Sequence, residues 1–339
     1  MMLPRIFIAR LHGELGSREV TAEELGRKFD LSPCDIARKT GVTRLFRFGG
    51  DETLEIVSVN AARAVLGASS VEQLNLRGVF ASCNATGETL MPGYAVHVAS
   101  ALGFTNMLAD QVGMACGGGL QALRAAYDRL VVHALREERA SYLVVAGDAT
   151  SHILDPDDLV TGLLFSEGVS VLLVTNDQSI VSGGYEIVRI GTKSLLGYVN
   201  ALRVGNPYSP MYDGARAFLA MESDRVFRFG AGLLPHLLAL VGEQVFQADW
   251  MLIPHQANER MLQALARRGR IPESRVYMDG IRRIGNTSPS AVFLGIEDCL
   301  RRDLFNVVDT TVLLGAFGAE LTVGAALLRP VGDPHQMLR

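Results

Sequence analysis

Short apolar runs alternate with stretches of helical period along almost the whole chain, and this alternation restricts it to an α/β architecture. Leu76–Ser82 (LRGVFAS), Tyr142–Gly147 (YLVVAG), Val169–Thr175 (VSVLLVT), Trp250–Pro254 (WMLIP), Thr310–Gly315 (TTVLLG) and Leu321–Leu328 (LTVGAALL) are nearly continuous in apolar residues. Runs of this kind suit strands buried on both faces. Between them, Leu120, Leu123, Tyr127, Leu130, Val131, Ala134 and Leu135 recur at three- and four-residue steps and so share one helix face. Leu262, Leu265 and Ala266 repeat the pattern more briefly. A weak internal echo is present: LRGVFAS and WMLIP each run through a short polar loop into a helical stretch. No tandem repeat of solenoid period is visible.

Composition narrows the function classes. The 339 residues are 48% hydrophobic and 20% charged, which excludes a disordered polymer and supplies core for two domains or one two-lobed one. With 32 Lys+Arg against 36 Asp+Glu the formal charge is −4, the wrong sign for general nucleic-acid binding. No run approaches the roughly 18 apolar residues of a membrane span, and the first residues lack the combined features of a signal peptide. The expectation is a soluble, cytoplasmic protein. Its four cysteines, Cys34, Cys83, Cys116 and Cys299, have no metal-type spacing and are expected as free thiols.

Three polar positions stand out. Cys116 lies in Gly113-Met-Ala-Cys-Gly-Gly-Gly119, just before the long amphipathic stretch. A thiol at a helix N-terminus meets amide donors and the positive end of the dipole, both of which favour thiolate. The same motif also fits a core cysteine in a tight turn, which is the reading for the other three. His255 ends an apolar run in Ile253-Pro-His-Gln-Ala-Asn258, where α/β proteins place ligand-binding groups; a turn-capping histidine fits equally. Asn286, in Gly285-Asn-Thr-Ser-Pro-Ser290, reads by itself as a turn and helix cap.

Together and in this order, the motifs MACGGG, PHQAN, GNTSPS and the closing AFGAELTVGAAL resemble those of the β-ketoacyl-acyl-carrier-protein synthase III (FabH-like) family of the thiolase superfamily. The resemblance runs from about Glu23 to Leu328. It implies a five-layered αβαβα sandwich of two pseudo-repeated halves, here 1–180 with the cysteine and 181–330 with His255 and Asn286, followed by a frayed tail at 331–339. It implies a homodimer with no permanently bound cofactor. Cys116 would take an acyl group from acyl-CoA or an acylated carrier protein, and malonyl on acyl carrier protein would then decarboxylate and attack it. His255 and Asn286 would stabilise the enolate, and the backbone amides of Cys116 and Ala319 the tetrahedral oxyanion.

The chain departs from the family pattern in places. Ala319-Glu320 stands where the family has two glycines, so the oxyanion loop could differ in shape, and Glu320 could point into the pocket. The Trp and Arg that clamp the adenine of coenzyme A align with Asp35 and Leu159, while Lys39 is a candidate for a phosphate. Thr86, Met91, Leu163, Leu164 and Phe165 are candidates for the acyl pocket, with Met91 where the family projects a Phe into its partner subunit. Arg260, Arg267 and Arg268 match a basic carrier-docking helix face. The expected activity is a decarboxylative condensation in a specialised acyl or natural-product pathway. The alternatives are acyl transfer to an alcohol or amine on the same fold, a non-catalytic partner in a heterodimeric synthase, and, more weakly, a 3-hydroxy-3-methylglutaryl-type synthase.

Overall fold

The structure, a computed structural model, describes residues 4–84, 86–198, 200–206, 208–209, 218–247, 249–305 and 309–338, with the backbone alone at 198, 247 and 320. Nine strands form the main sheet system: β1 (Phe7–Leu15), β2 (Leu76–Ser82), β3 (Leu108–Val112), β4 (Ser141–Asp148), β5 (Gly168–Thr175), β6 (Gly183–Lys193), β7 (Trp250–Pro254), β8 (Thr311–Phe317) and β9 (Val323–Gly332). Their order across the system is β7-β8-β9-β6-β1-β5-β4-β2-β3. All six apolar runs of the sequence are strands. β1, β3 and β6, which are less continuously apolar, complete the set.

The order is a duplication. From one edge inward it reads β3-β2-β4-β5-β1, and from the other β7-β8-β9-β6, joined by an antiparallel contact of β1 with β6. β2 and β4 pair parallel, then β5 and β1 reverse; β7 and β8 pair parallel, then β9 and β6 reverse. The place of β3 is taken in the second set by a single parallel bridge from Leu252 to Val276. LRGVFAS and WMLIP, the two members of the sequence echo, occupy the same place in their respective halves.

Strand alternation turns the two sheets into five layers. Val144 and Leu172 of the first sheet, and Val312 and Leu314 of the second, face inward onto Leu120, Leu123, Phe293 and Ile296 of the two central helices, Gly118–Leu135 and Ala291–Arg301. Leu143, Val145 and Val171 face outward onto helices Leu54–Leu66 and Tyr94–Ala101. Leu252, Leu313 and Ala325 face outward onto helices Ser223–Ala231, Leu234–Val241 and Glu259–Gly269. A satellite core of Leu25, Ile36, Val42, Leu45, Leu163, Leu262 and Ile281 binds residues 22–45 to the second half.

The tail is not frayed. β9 continues to Gly332, and a closing turn over Pro334–Leu338 buries Pro334 and places Met337 in the central core at 1% exposure. The sequence VGDPHQMLR is polar enough to read as loose, yet Val331 and Gly332 are paired in the sheet, Met337 enters the central core and Leu338 packs against it. Among the described residues no helix is long and apolar enough to cross a membrane.

Candidate active site

Cys116 sits in a short turn, Ala115–Gly117, between β3 and the central helix Gly118–Leu135. The turn is held in an unusual shape. Ala115 has φ +46, a region costly for a residue with a Cβ, and its N–H donates to Asn84 Oδ1 at 2.7 Å. The glycines answer to crowding: a Cβ on Gly119 would lie 2.2 Å from the Pro289 carbonyl oxygen, and one on Gly318 would lie 2.3 Å from that of Met114. The Cys116 turn, the 288–290 turn and the 317–321 loop are thereby pressed together. The Cys116 sulfur lies 3.7 Å from the Ser288 hydroxyl. Burial pushes the thiol up to about 12, against the lowering by that hydroxyl. Desolvation thus opposes the thiolate that the helix terminus favours.

His255 follows β7, its N–H donating to the Gly315 carbonyl at 2.7 Å. The ring is 3% exposed and stands edge-on to Phe317, with centroids 5.9 Å apart. Burial lowers its pKa to about 4, so at neutral pH it is an uncharged imidazole. Its Nδ1 is buried without a hydrogen-bond partner among the described residues.

Asn286 is set by the chain on both sides. Gly285 takes φ +83, where a Cβ would also meet the Ser166 hydroxyl at 2.5 Å. The Asn286 N–H donates to Leu164 O at 2.9 Å, and its carbonyl accepts the Ser166 N–H at 2.8 Å. In the side chain, Oδ1 accepts the Ser288 N–H at 2.9 Å. That bond fixes which end of the carboxamide is occupied and leaves the NH2 group as donor. Cys116, His255 and Asn286 line one cavity of about 140 Å³, with Leu164, Phe165 and Phe317 among its walls.

A further cluster was not singled out from the sequence. Asp148, at the end of β4, is a fully buried carboxylate. It accepts the Asn84 N–H at 2.8 Å, the Asn84 amide at 2.6 Å and the Thr86 hydroxyl at 2.8 Å. Burial raises its pKa, partly offset by these donors and by Ser288. Asn84 thus bridges Asp148 to the strained Ala115. The available signal was an Asp closing an otherwise apolar strand.

Comparison with known proteins decides the family. Residues 244–330 match the model of the 3-oxoacyl-[acyl-carrier-protein] synthase III C terminal. The β-ketoacyl-[acyl-carrier-protein] synthase III of Rhizorhabdus wittichii is 30% identical over 93% of this chain and 96% of its own length. The chain belongs to the β-ketoacyl-acyl-carrier-protein synthase III family. The crystal structure of 3-oxoacyl-(acyl carrier protein) synthase III from Pseudomonas aeruginosa superposes with TM-score 0.81 at 26% identity, covering 96% of this chain and 98% of that one. The priming β-ketosynthase of the R1128 polyketide pathway shares the fold at TM-score 0.81 and 24% identity, over 98% of each chain.

Against the synthase III pattern, the remaining expected positions divide. Phe165 lines both the cavity above and a second one of about 480 Å³ that also reaches Cys116, whereas Leu164 lines the smaller alone. Thr86 and Leu163 line neither, correcting the expectation for both. Thr86 spends its hydroxyl on Asp148 and the Ala149 N–H, and Leu163 packs in the satellite core. Met91 stands out from the molecule at 88% exposure. Ala319 lines the larger cavity with Cys116, and in its turn the positive φ falls on Leu321 rather than on Ala319, so a glycine is not needed there. The Glu320 side chain lies outside the described residues.

Lys39, Arg260, Arg267 and Arg268 are all exposed. The three arginines are on helix Glu259–Gly269, and the Lys39 carbonyl accepts from the Asn258 side chain at the start of that helix. Asp35 serves the first turn of its own helix, bonded to Ser32 and ion-paired with Arg38. Leu159 is exposed. Neither position offers a ring or guanidinium to stack on a base. Of the other cysteines, Cys83 and Cys299 are buried, whereas Cys34 is exposed on its helix instead of packed.

Proposed function

We propose that this FabH-like condensing enzyme loads an acyl group from a thioester onto Cys116 and extends it with malonyl from acyl carrier protein. The observation that carries the proposal is the single cavity shared by Cys116, His255 and Asn286. The Cys116 sulfur attacks the thioester carbonyl, and its proton passes by way of the neutral His255 to the departing thiol, so no net proton is exchanged with solvent. The tetrahedral oxyanion is met by the backbone N–H groups of Cys116 and Ala319. Malonyl thioester then takes the thiol's place. Its C–CO2 bond breaks, carbon dioxide leaves, and the electron pair moves onto the thioester oxygen as an enolate.

Charge appears on that oxygen only as the bond breaks, so donors aimed there accelerate the step. The Asn286 NH2 and one imidazole N–H of His255 are such donors. An Asn has no useful basicity, and its place beside an uncharged His favours enolate stabilisation over deprotonation of an alcohol or amine. The enolate carbon attacks the acyl carbonyl and expels the Cys116 thiolate, which takes one proton from water, balancing the carboxylate charge lost as carbon dioxide.

The carrier protein is acidic in the chemistry this surface fits: Arg260, Arg267 and Arg268 present positive charge on a helix beginning at the cavity wall. The absent adenine clamp favours a carrier-bound primer over free acyl-CoA, in a cytoplasmic and specialised pathway, with two copies of the chain as the working unit. Intact-mass measurement after exposure to acyl thioesters tests the reading. An adduct should map to Cys116, be lost in Cys116→Ala, and discharge as a β-keto product with malonyl-acyl carrier protein. Asn286→Ala should load normally and lose most carbon dioxide release; full release would remove the assigned role.

A further inference from the structure

Two cavities meet at the Cys116 sulfur. The smaller carries His255 and Asn286, and the larger, about 480 Å³, carries neither. Leu90, Ile153, Leu154, Leu202 and Leu219 supply most of the apolar wall of the larger one. Part of that wall is a two-stranded hairpin, Leu202–Val204 with Leu219–Met221, tied down by the Leu219 N–H donating to the Ile153 carbonyl at 2.7 Å. We propose that this cavity is built for the tail of the starter and selects a mainly hydrocarbon acyl chain of medium length over acetyl. The inference rests on reading Cys116 as the acyl acceptor.

Direction comes first. The enolate must approach the acyl carbonyl from the side of His255 and Asn286, so the tail of a Cys116-bound acyl group has to leave on another side. The larger cavity adjoins the sulfur without touching either residue. Polarity comes next. Asn84 lies on its wall, but both ends of that carboxamide are committed, one to Asp148 and one to Ala115. Arg203 and Asn206 are exposed and sit at the rim. Thr150 donates its hydroxyl to the Ser166 carbonyl at 3.4 Å and Ser288 stays beside the sulfur, so the rest of the interior offers hydrocarbon.

Size decides the length. A methylene takes about the 30 Å³ that a water takes in liquid, so the cavity has room for roughly 16 heavy atoms. An acetyl group would leave most of it empty. Were Met91, 88% exposed, to enter the same cavity of a second copy, it would share the space with the chain. Its four side-chain heavy atoms would take about 120 Å³ on the same measure and leave room for about 12. A chain of about eight to twelve carbons fits either way.

The test is the rate of Cys116 acylation by pantetheine thioesters from acetyl to dodecanoyl, read by intact mass at equal concentration. Decanoyl should load at least about ten-fold faster than acetyl, since one methylene in a fitted apolar pocket already changes rates by about that much. Equal or faster loading of acetyl overturns the proposal. Leu154→Trp, which fills the cavity, should lower the decanoyl-to-acetyl ratio at least about ten-fold; an unchanged ratio places the chain elsewhere and also overturns it. Should that variant fail to fold, Leu219→Phe makes the same test. Acetyl-selective loading followed by condensation sinks this inference alone, whereas no adduct from any thioester sinks the reading of Cys116 on which it rests.

Discussion

His255 spends its working life uncharged, and burial is the reason. In the unfolded chain an imidazole takes up a proton below about pH 6.5, whereas in the folded protein it does so only near 4. Between those values the unfolded state binds more protons, so folding stability falls as pH drops through that window. The effect has a ceiling of about 3 kcal/mol. Urea denaturation of the protein and of His255→Gln from pH 7 to pH 4 should show the difference in slope; parallel curves would mean that the ring is not dry. Asp148 acts differently. Asp148→Ala would strand the Asn84 N–H and amide and the Thr86 hydroxyl, at about 1–3 kcal/mol for each buried donor left unpaired. A loss of more than about 3 kcal/mol in the urea midpoint analysis is expected. Slower acylation of Cys116 should accompany it, because Asn84 also holds the Ala115 turn.

At the scale of elements, continuous apolar runs were legible as strands because β4 and β5 are buried on both faces. β3 was not, since LADQV is an edge strand with only half of its surface covered. β1 and β6 are central but carry charged residues whose heads find partners: Arg10 of β1 donates to the Val65 and Leu66 carbonyls, and Glu186 of β6 pairs with Arg5 and Arg329. The closing turn was misjudged because local polarity says nothing of one side chain reaching a distant core. Met337→Ala should therefore cost about 2–5 kcal/mol in thermal or chemical unfolding, the usual range for a buried methionine. A frayed tail would show no change.

Across the whole molecule, the exposed Leu90 and Met91 form an apolar point beside the larger cavity, at 59% and 88% exposure. Burial of this point between two copies, as proposed above, would account for its being apolar. Met91→Arg should shift the protein toward monomer in sedimentation velocity and weaken loading of long acyl chains more than of acetyl. A stable dimer with unaltered loading would assign the point another role. The sequence by itself determined the α/β alternation and, through motifs read together, pointed to the three polar residues, because alternating burial and tight glycine turns leave local marks in composition. Only the tertiary structure decided that burial opposes ionisation of Cys116, that Asn286 spends its Oδ1 on the Ser288 N–H, that Thr86 serves Asp148, and that Cys116 borders a second cavity. Burial, partner and volume are sums over atoms far apart in the chain, and no local pattern encodes them.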